Sequence, residues 1–391
     1  MNSLPKVVGL VQAKNEWPLL ALSISHALMY HVDEVYVLNH SSTDGSSKGL
    51  QHLQNLWEDR IHVFNRHDEA FWQEASINAL IVVSQDASPD WIYAFDSDEF
   101  LLTHGHRPLK EILDDVDHKY ALVRYEVQNW ISTEDFDETH LDNYRILRYR
   151  SVPNVFTDMH PDICADQIRN GSLNFYDLPF PSKVIFRNDT ASWLASGAHG
   201  LKSPAGVNTL DICADKLRGA HFPFLIRKRL EQKAKHGQMH IQHGFPTYHG
   251  WQSQMVYRLS QDNKLAQFWA SHTIAHHNDS NDSNDGTLPS YVIDDGFVRA
   301  IEPVLCLLED GLDSRTLLRT GELDLSSRKS DDTQIPFRTA VHLTRKFQLI
   351  ADSLSQERDA IVTERDTIVN SRIWRYTRFL RKIGSLLARL R

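Results

Sequence analysis

Trp91-Ile92-Tyr93-Ala94-Phe95-Asp96-Ser97-Asp98-Glu99-Phe100 is the stretch on which the fold turns. Five apolar residues, Trp91 to Phe95, make a run of strand length, and acids follow at once at its carboxyl end. The same grammar recurs upstream. Val7 to Val11 runs into Lys14-Asn15-Glu16 and then a helical stretch from about Trp17 to Tyr30. Val35 to Leu38 runs into Asn39-His40-Ser41-Ser42-Thr43-Asp44-Gly45 and a helical Leu50 to Trp57. Ile61 to Phe64 precedes a longer helical pattern from about Phe71 to Ser84. Such alternation predicts an α/β fold with a mainly parallel sheet and helices on both faces, in which ligands gather at the carboxyl ends of the strands.

Beyond the acids, Tyr120 to Val127 alternates as another strand would, and Lys183 to Phe186 is a further short one. Between them, Asp135 to Pro181 is rich in His, Pro, Asn and Asp with little periodicity, and reads as loops and short antiparallel strands. Pro223 to His236 reads as helical, and 278–286 is a low-complexity polar loop of Asn, Asp and Ser. From about Phe337 the pattern is helical to the end. The expected organisation is therefore a catalytic domain over 1–240, a helical and loop extension over 241–336, and a C-terminal helical region over 337–391.

Composition narrows the class. The 391 residues are 41% hydrophobic and 24% charged, which suits a folded globular chain and excludes a disordered or polytopic membrane protein. No apolar stretch approaches the roughly 18 residues that span a bilayer, and the first residues lack a basic leader with a cleavage site, so the expected location is cytoplasmic. Cys164, Cys213 and Cys306 are odd in number and widely spaced, which predicts neither a disulfide framework nor a thiolate zinc site. A net charge of -9 argues against a nucleic-acid partner.

Asp96 and Asp98, two residues apart at a strand terminus, can converge on one hard cation, Mg²⁺ or Mn²⁺, that bridges to a diphosphate. The plain alternative is a solvated acidic turn. The 39–45 turn, with its small side chains and free N–H groups, can cradle a nucleotide, and Lys14-Asn15-Glu16 adds polar groups on the same edge. The plain alternatives are an ordinary β-α turn for the first and a helix cap for the second.

Taken in order, these three features resemble the bacterial family-2-like glycosyltransferases of the GT-A fold, in the branch with a Lys-Asn-Glu turn, a Ser-Thr-Asp-Gly turn and Asp-x-Asp-Glu-Phe. Lys14, Asn15, Glu16, then Ser42, Thr43, Asp44, Gly45, then Asp96, Asp98, Glu99, Phe100 match in sequence, and the likeness continues through Lys183 to Arg187 and His221-Phe222-Pro223-Phe224 with Arg227 and Lys233. It covers about residues 5 to 240. The resemblance implies a Rossmann-like sheet and transfer, with inversion, of a sugar from a nucleotide-diphosphate donor. The acceptor it implies is a glycan or lipid-linked glycan in bacterial surface polysaccharide synthesis. It further implies nucleotide contacts at Lys14, Asn15, Glu16, Asn39, Ser42, Asp44 and Asp96, and a metal on Asp96 and Asp98 completed by a late histidine, His221, with His199 its competitor.

Two departures stand out. Asn39-His40 occupies a place where many relatives carry two acids, and no clear Glu-Asp pair supplies the base that takes the acceptor's proton. Glu126, Asp162 and His199 are all candidates for that base. The tail 372–391 holds Arg372, Arg375, Arg378, Arg381, Lys382, Arg389 and Arg391 with no acid, interleaved with Trp374, Phe379 and several Leu and Ile. A basic amphipathic helix of this kind suits an anionic membrane surface, which predicts a peripheral enzyme on the inner face of the cell membrane. The competing functions are a sugar-phosphate nucleotidyltransferase, which would need a Gly-rich N-terminal loop where Val7 to Glu16 has only Gly9, and a non-catalytic glycan-binding or scaffold protein of the same fold.

Overall fold

The computed structural model describes residues 3–66, 73–155, 160–188, 193–202, 207–245, 250–275 and 289–312. The chain divides into two compact units, Met1–Ala340 and Val341–Arg391. The second unit, the basic tail 372–391 within it and the polar loop 278–286 lie outside the described residues. Every described residue belongs to the first unit.

Three β-α steps and a fourth strand open that unit. β1 (Val7–Ala13), α1 (Leu19–Tyr30), β2 (Glu34–His40), α2 (Ser46–Trp57), β3 (Ile61–Arg66), α3 (Gln73–Ser84) and β4 (Trp91–Phe95) alternate along the chain. β1 pairs in parallel with both β2 and β4, and β2 with β3. β1 is buried along its whole length and α1 buries Leu19 to Leu28 without a polar face, as expected of elements covered on both sides.

After β4 the chain turns at 96–98 into β5 (Glu99–Thr103), then α4 (Leu109–Asp114) and the long β6 (Leu122–Ile131). β7 (Tyr149–Ser151), α5 (Pro161–Asn170), β8 (Lys183–Arg187), a two-residue hairpin of β9 (Trp193–Leu194) and β10 (Leu201–Lys202), β11 (Thr209–Ile212) and β12 (Leu217–His221) follow. The unit closes with α6 (Arg227–Gln242), α7 (Trp251–Gln261), α8 (Leu265–Ser271), β13 (Tyr291–Ile293) and α9 (Gly296–Gly311). The main sheet runs β13-β7-β6-β8-β4-β1-β2-β3, with β8 antiparallel between β4 and β6. β12 lies between β5 and β6, antiparallel to the first and parallel to the second. The predicted α/β class with a mainly parallel sheet is the one found.

Two expectations for local structure need correction. Asp135 to Pro181 contains a helix, α5, where loops were expected. Its His160 side chain accepts from the Asp162 N–H, Pro161 sits in the first turn, and Gly171 ends it at φ 79. The helix expected from Pro223 begins four residues later, because Ile226 is still extended. One hydrophobic core packs α1, α9 and the sheet, and a second gathers α5 to α8 around Phe175, Phe224 and Met255. The site lies between these cores, where β1 and β4 end.

Candidate active site

The carboxyl ends of β1 and β4 open into a cleft of about 750 Å³ lined by Lys14, Glu16, Asp96, Asp98, His221 and Lys233 among others. Phe175, Leu178, Phe180 and Trp251 add apolar lining, and the Phe180 ring packs against that of His221 with centroids 4.2 Å apart. His199 and the neighbouring Ser196 and Gly197 also line the cleft.

The turn after β4 is held by its neighbours. Asp96 Oδ1 accepts from Gln73 Nε2 at 2.9 Å and Oδ2 from Lys183 Nζ at 2.8 Å. Lys183 Nζ also lies 2.6 Å from Glu99 Oε2. Burial opposes ionisation of Asp96, but Lys183 outweighs it and holds that carboxyl below its ordinary range. Burial likewise raises Glu99, to about 8, so that Glu99 keeps its proton while Lys183 stays charged beside Asp96.

Asp98 points toward a different pair. Its Oδ2 is 3.7 Å from His221 Nε2 and 3.9 Å from Lys233 Nζ. Burial raises the Asp98 carboxyl, and burial lowers both His221 and Lys233, with Lys233 and Lys183 pushing His221 further down. His221 is therefore a neutral imidazole near pH 7. Among the described residues no three His, Cys, Asp or Glu side chains converge into a complete metal shell. The Asp98 and His221 pair nevertheless fits a cation that takes its remaining oxygens from substrate and water, which is the habit of Mg²⁺ beside diphosphates.

The two polar turns are tied to each other. Asn15 Oδ1 accepts from the Thr43 N–H at 2.7 Å and the Asp44 N–H at 3.3 Å, and Ser42 Oγ accepts from the Asn15 N–H at 3.0 Å. Asp44 accepts from the N–H groups of Trp17 and Ser46 at 3.0 and 2.9 Å, fixing the start of α2. Asn39 donates to Ser47 and Asn65. Of the residues expected to touch nucleotide, Lys14, Glu16 and Asp96 line the cleft, whereas Asn15, Asn39, Ser42 and Asp44 brace the loops beside it. Glu16 in turn pairs with Arg229, a buried guanidinium on α6 that also meets Glu138 at 2.6 Å. That clasp sets α6, and Lys233 with it, against the turn after β1.

Of the three candidate bases, only His199 lines the cleft. Glu126 is exposed on β6 and accepts from Gln128, and Asp162 sits in the first turn of α5 beside His160. His199 Nδ1 is 3.0 Å from the Ser182 carbonyl, which can only accept, so Nε2 carries the lone pair. Burial and the Lys183 charge lower its pKa to about 4. Its hairpin is anchored from α3: Glu74, 4% exposed, accepts from Trp193 Nε1, the Ser196 N–H and Lys202 Nζ at 2.6, 3.2 and 2.6 Å.

Gln73, Glu74 and Asn129 went unmarked in the sequence, where each is one polar residue in a helix or strand pattern. Asn129 accepts from His221 Nδ1 at 2.7 Å across 92 positions of chain. Among the described residues no helix is long and apolar enough to cross a membrane.

The family model for glycosyl transferase family 2 matches residues 10–167, a span that runs from within β1 through β7 and includes the Asp96 to Asp98 turn. No curated protein matches the chain. Similar solved structures include residues 1–349 of S. aureus TarS, 11% identical, covering 87% of this chain and 91% of that one with a TM-score of 0.33. The same TarS fragment in complex with UDP is 13% identical, with coverages of 87% and 91% and a TM-score of 0.31. Glucosyl-3-phosphoglycerate synthase from Mycobacterium tuberculosis, in complex with Mg²⁺ and UDP, is 12% identical, with coverages of 62% and 80% and a TM-score of 0.29. The chain thus carries a glycosyl transferase family 2 domain over residues 10–167, and the protein is a glycosyltransferase.

Proposed function

We propose that the protein transfers a sugar from a nucleoside-diphosphate donor to a glycan or lipid-linked glycan acceptor, with inversion, in bacterial surface polysaccharide synthesis. The observation that carries this reading is the meeting of Asp98, His221 and Lys233 at the end of β4, in one cleft with Lys14 and Asp96. A Mg²⁺ or Mn²⁺ ion on Asp98 and His221 would supply neutralisation of the charge that develops on the departing diphosphate. Lys233 places an ammonium on the same side, and Lys14 reaches the cleft from the end of β1. Phe180 and Trp251, which both line the cleft, give a sugar ring flat surfaces to lie against and keep water from the reacting carbon. His199 Nε2, unprotonated near pH 7, is the group placed to take the acceptor hydroxyl's proton.

The test is transfer by the purified protein from a panel of nucleotide sugars, with and without Mn²⁺ or Mg²⁺, reading nucleoside diphosphate released. Asp98→Asn keeps the shape and removes the charge, so it is expected to lose at least about 100-fold in metal-supported rate. Near wild-type turnover in that variant would remove the cation from Asp98. Pyrophosphate made from a sugar phosphate and a nucleoside triphosphate would instead identify a nucleotidyltransferase.

The same proposal places the enzyme on the cytoplasmic face of the membrane through 372–391. Seven cations near an anionic surface contribute about 1 kcal/mol each, and the interleaved apolar side chains add to that. Co-sedimentation with vesicles is expected to need anionic lipid, to fall as salt rises, and to vanish when the chain is cut before Arg372. Equal partition of the cut and full-length proteins would make the tail a partner-binding helix instead.

A further inference from the structure

Asn129 belongs to none of the sequence motifs, yet strand pairing sets it beside the cation pair. β12 runs parallel to β6 with His221 opposite Asn129, and antiparallel to β5 with His221 opposite Glu99. Residues paired across adjacent strands share a face, so Asn129, His221 and Glu99 form one row across three strands. Asn129 is 3% exposed and His221 5%.

The hydrogen bond between them has only one polarity. Asn129 Oδ1 can accept and never donate, so at 2.7 Å the proton sits on His221 Nδ1. A neutral imidazole protonated at Nδ1 presents its lone pair at Nε2, and Nε2 is the atom 3.7 Å from Asp98 Oδ2. The 3.7 Å between that lone pair and the carboxylate oxygen leaves room for a cation held by both. The same bond also fixes the amide: with Oδ1 committed to His221, Nδ2 is the end left over. It has no acceptor among the described residues, and Asn129 lines the cleft.

We propose that Asn129 is a two-sided positioning residue: its Oδ1 holds His221 in the tautomer that can ligate a divalent cation, and its Nδ2 donates to an oxygen of the bound nucleoside diphosphate. The inference rests on the cleft being the donor site proposed above. Metal-bound histidines are commonly oriented by an acceptor on the far ring nitrogen, and removing such a partner weakens metal affinity about 10- to 100-fold. Here the acceptor is an amide rather than a carboxylate, and that choice leaves a donor for the substrate.

Calorimetric titration of the full-length, metal-free protein with Mn²⁺ alone reads the first role. Titration with UDP or GDP in saturating Mn²⁺ reads the second. Asn129→Leu is expected to bind Mn²⁺ about 10- to 100-fold more weakly. Asn129→Asp still accepts from Nδ1–H, so it is expected to keep or strengthen Mn²⁺ binding while binding the nucleoside diphosphate at least about tenfold more weakly. Nitrogen NMR of the wild-type imidazole is expected to show His221 protonated at Nδ1, a reading that needs no variant to fold. An Nε2–H tautomer, or unchanged Mn²⁺ affinity in Asn129→Leu when His221→Ala weakens it, would overturn the orienting role. Unchanged nucleotide affinity in Asn129→Asp would overturn the donor role. Unchanged Mn²⁺ affinity in His221→Ala itself would fault the cation site, and with it the proposed function rather than Asn129 alone.

Discussion

Lys183 keeps its ammonium 2.8 Å from Asp96 and 2.6 Å from Glu99, with 1% of its side chain open to solvent. Asp96 takes the negative charge of this group, since Glu99 holds its proton up to about 8. Removing one partner of a buried ion pair costs about 3–5 kcal/mol, because the other charge is left uncompensated. Asp96 keeps 34% of its side chain in solvent, which moderates that cost, so Lys183→Met is expected to destabilise the protein by about 3 kcal/mol. Denaturant unfolding measures it, and a loss under about 1 kcal/mol would show that Asp96 is solvated well enough without the lysine. Asp98 was legible in the sequence because it follows an apolar run, and His221 only through the family resemblance of His221-Phe222-Pro223. Gln73 and Asn129 were not, since their meaning comes from Asp96 and His221, 23 and 92 positions away. Glu126 and Asp162 show the converse, as carboxylates of the right type that strand alternation and a helix N-terminus carry away from the cleft.

The elements were read best where burial on both sides left one pattern. β4 spans Trp91 to Phe95 as the apolar run does, and β1 to β3 each extend the expected run by a few residues at one or both ends. The stretch 135–181 was read worst. Its helix α5 buries only Cys164, Ala165 and Ile168, too few apolar residues to outweigh the polar ones around them, although Pro161 and Gly171 mark its two ends. α6 shows a limit of another kind. Gly237 looks like a weak point in a helix, but a Cβ there would come within 1.9 Å of the Ser253 carbonyl oxygen on α7. The glycine lets the two helices approach, and that approach brings Lys233 and Gly250 to Ser253 to the same cleft. Helical spacing alone does not announce a close crossing, because the requirement lies in the partner's backbone.

At the scale of the whole molecule, buried titratable groups make the fold's stability depend on pH in two opposed ways. His26, His31, His221 and His272 are all under one-tenth exposed, and burial holds their pKa values down, His31 to about 4 and His272 to about 3. Unfolded, each would bind a proton near 6.5, so the unfolded chain takes up protons that the folded one refuses as pH falls below 6.5, and stability drops. Glu99 and Glu138 work the other way. Burial raises both to about 8, and the folded state therefore holds protons that the unfolded chain has lost above 4.5. Their contribution is complete below 4.5 and declines as pH rises to about 8. Between 4.5 and 6.5 the four imidazoles outnumber the two carboxyls, and above 6.5 the two carboxyls are the ones of these six that act. The unfolding temperature of the metal-free protein is therefore expected to peak near pH 6.5 and to fall on both sides with similar slope, since four imidazoles less two carboxyls on the acid side balance the two carboxyls on the other. Calorimetry from about pH 4.5 to about pH 9 in EDTA decides it. A profile flat from about pH 5 to about pH 8 would mean that these imidazoles and carboxyls titrate as they do in the unfolded chain.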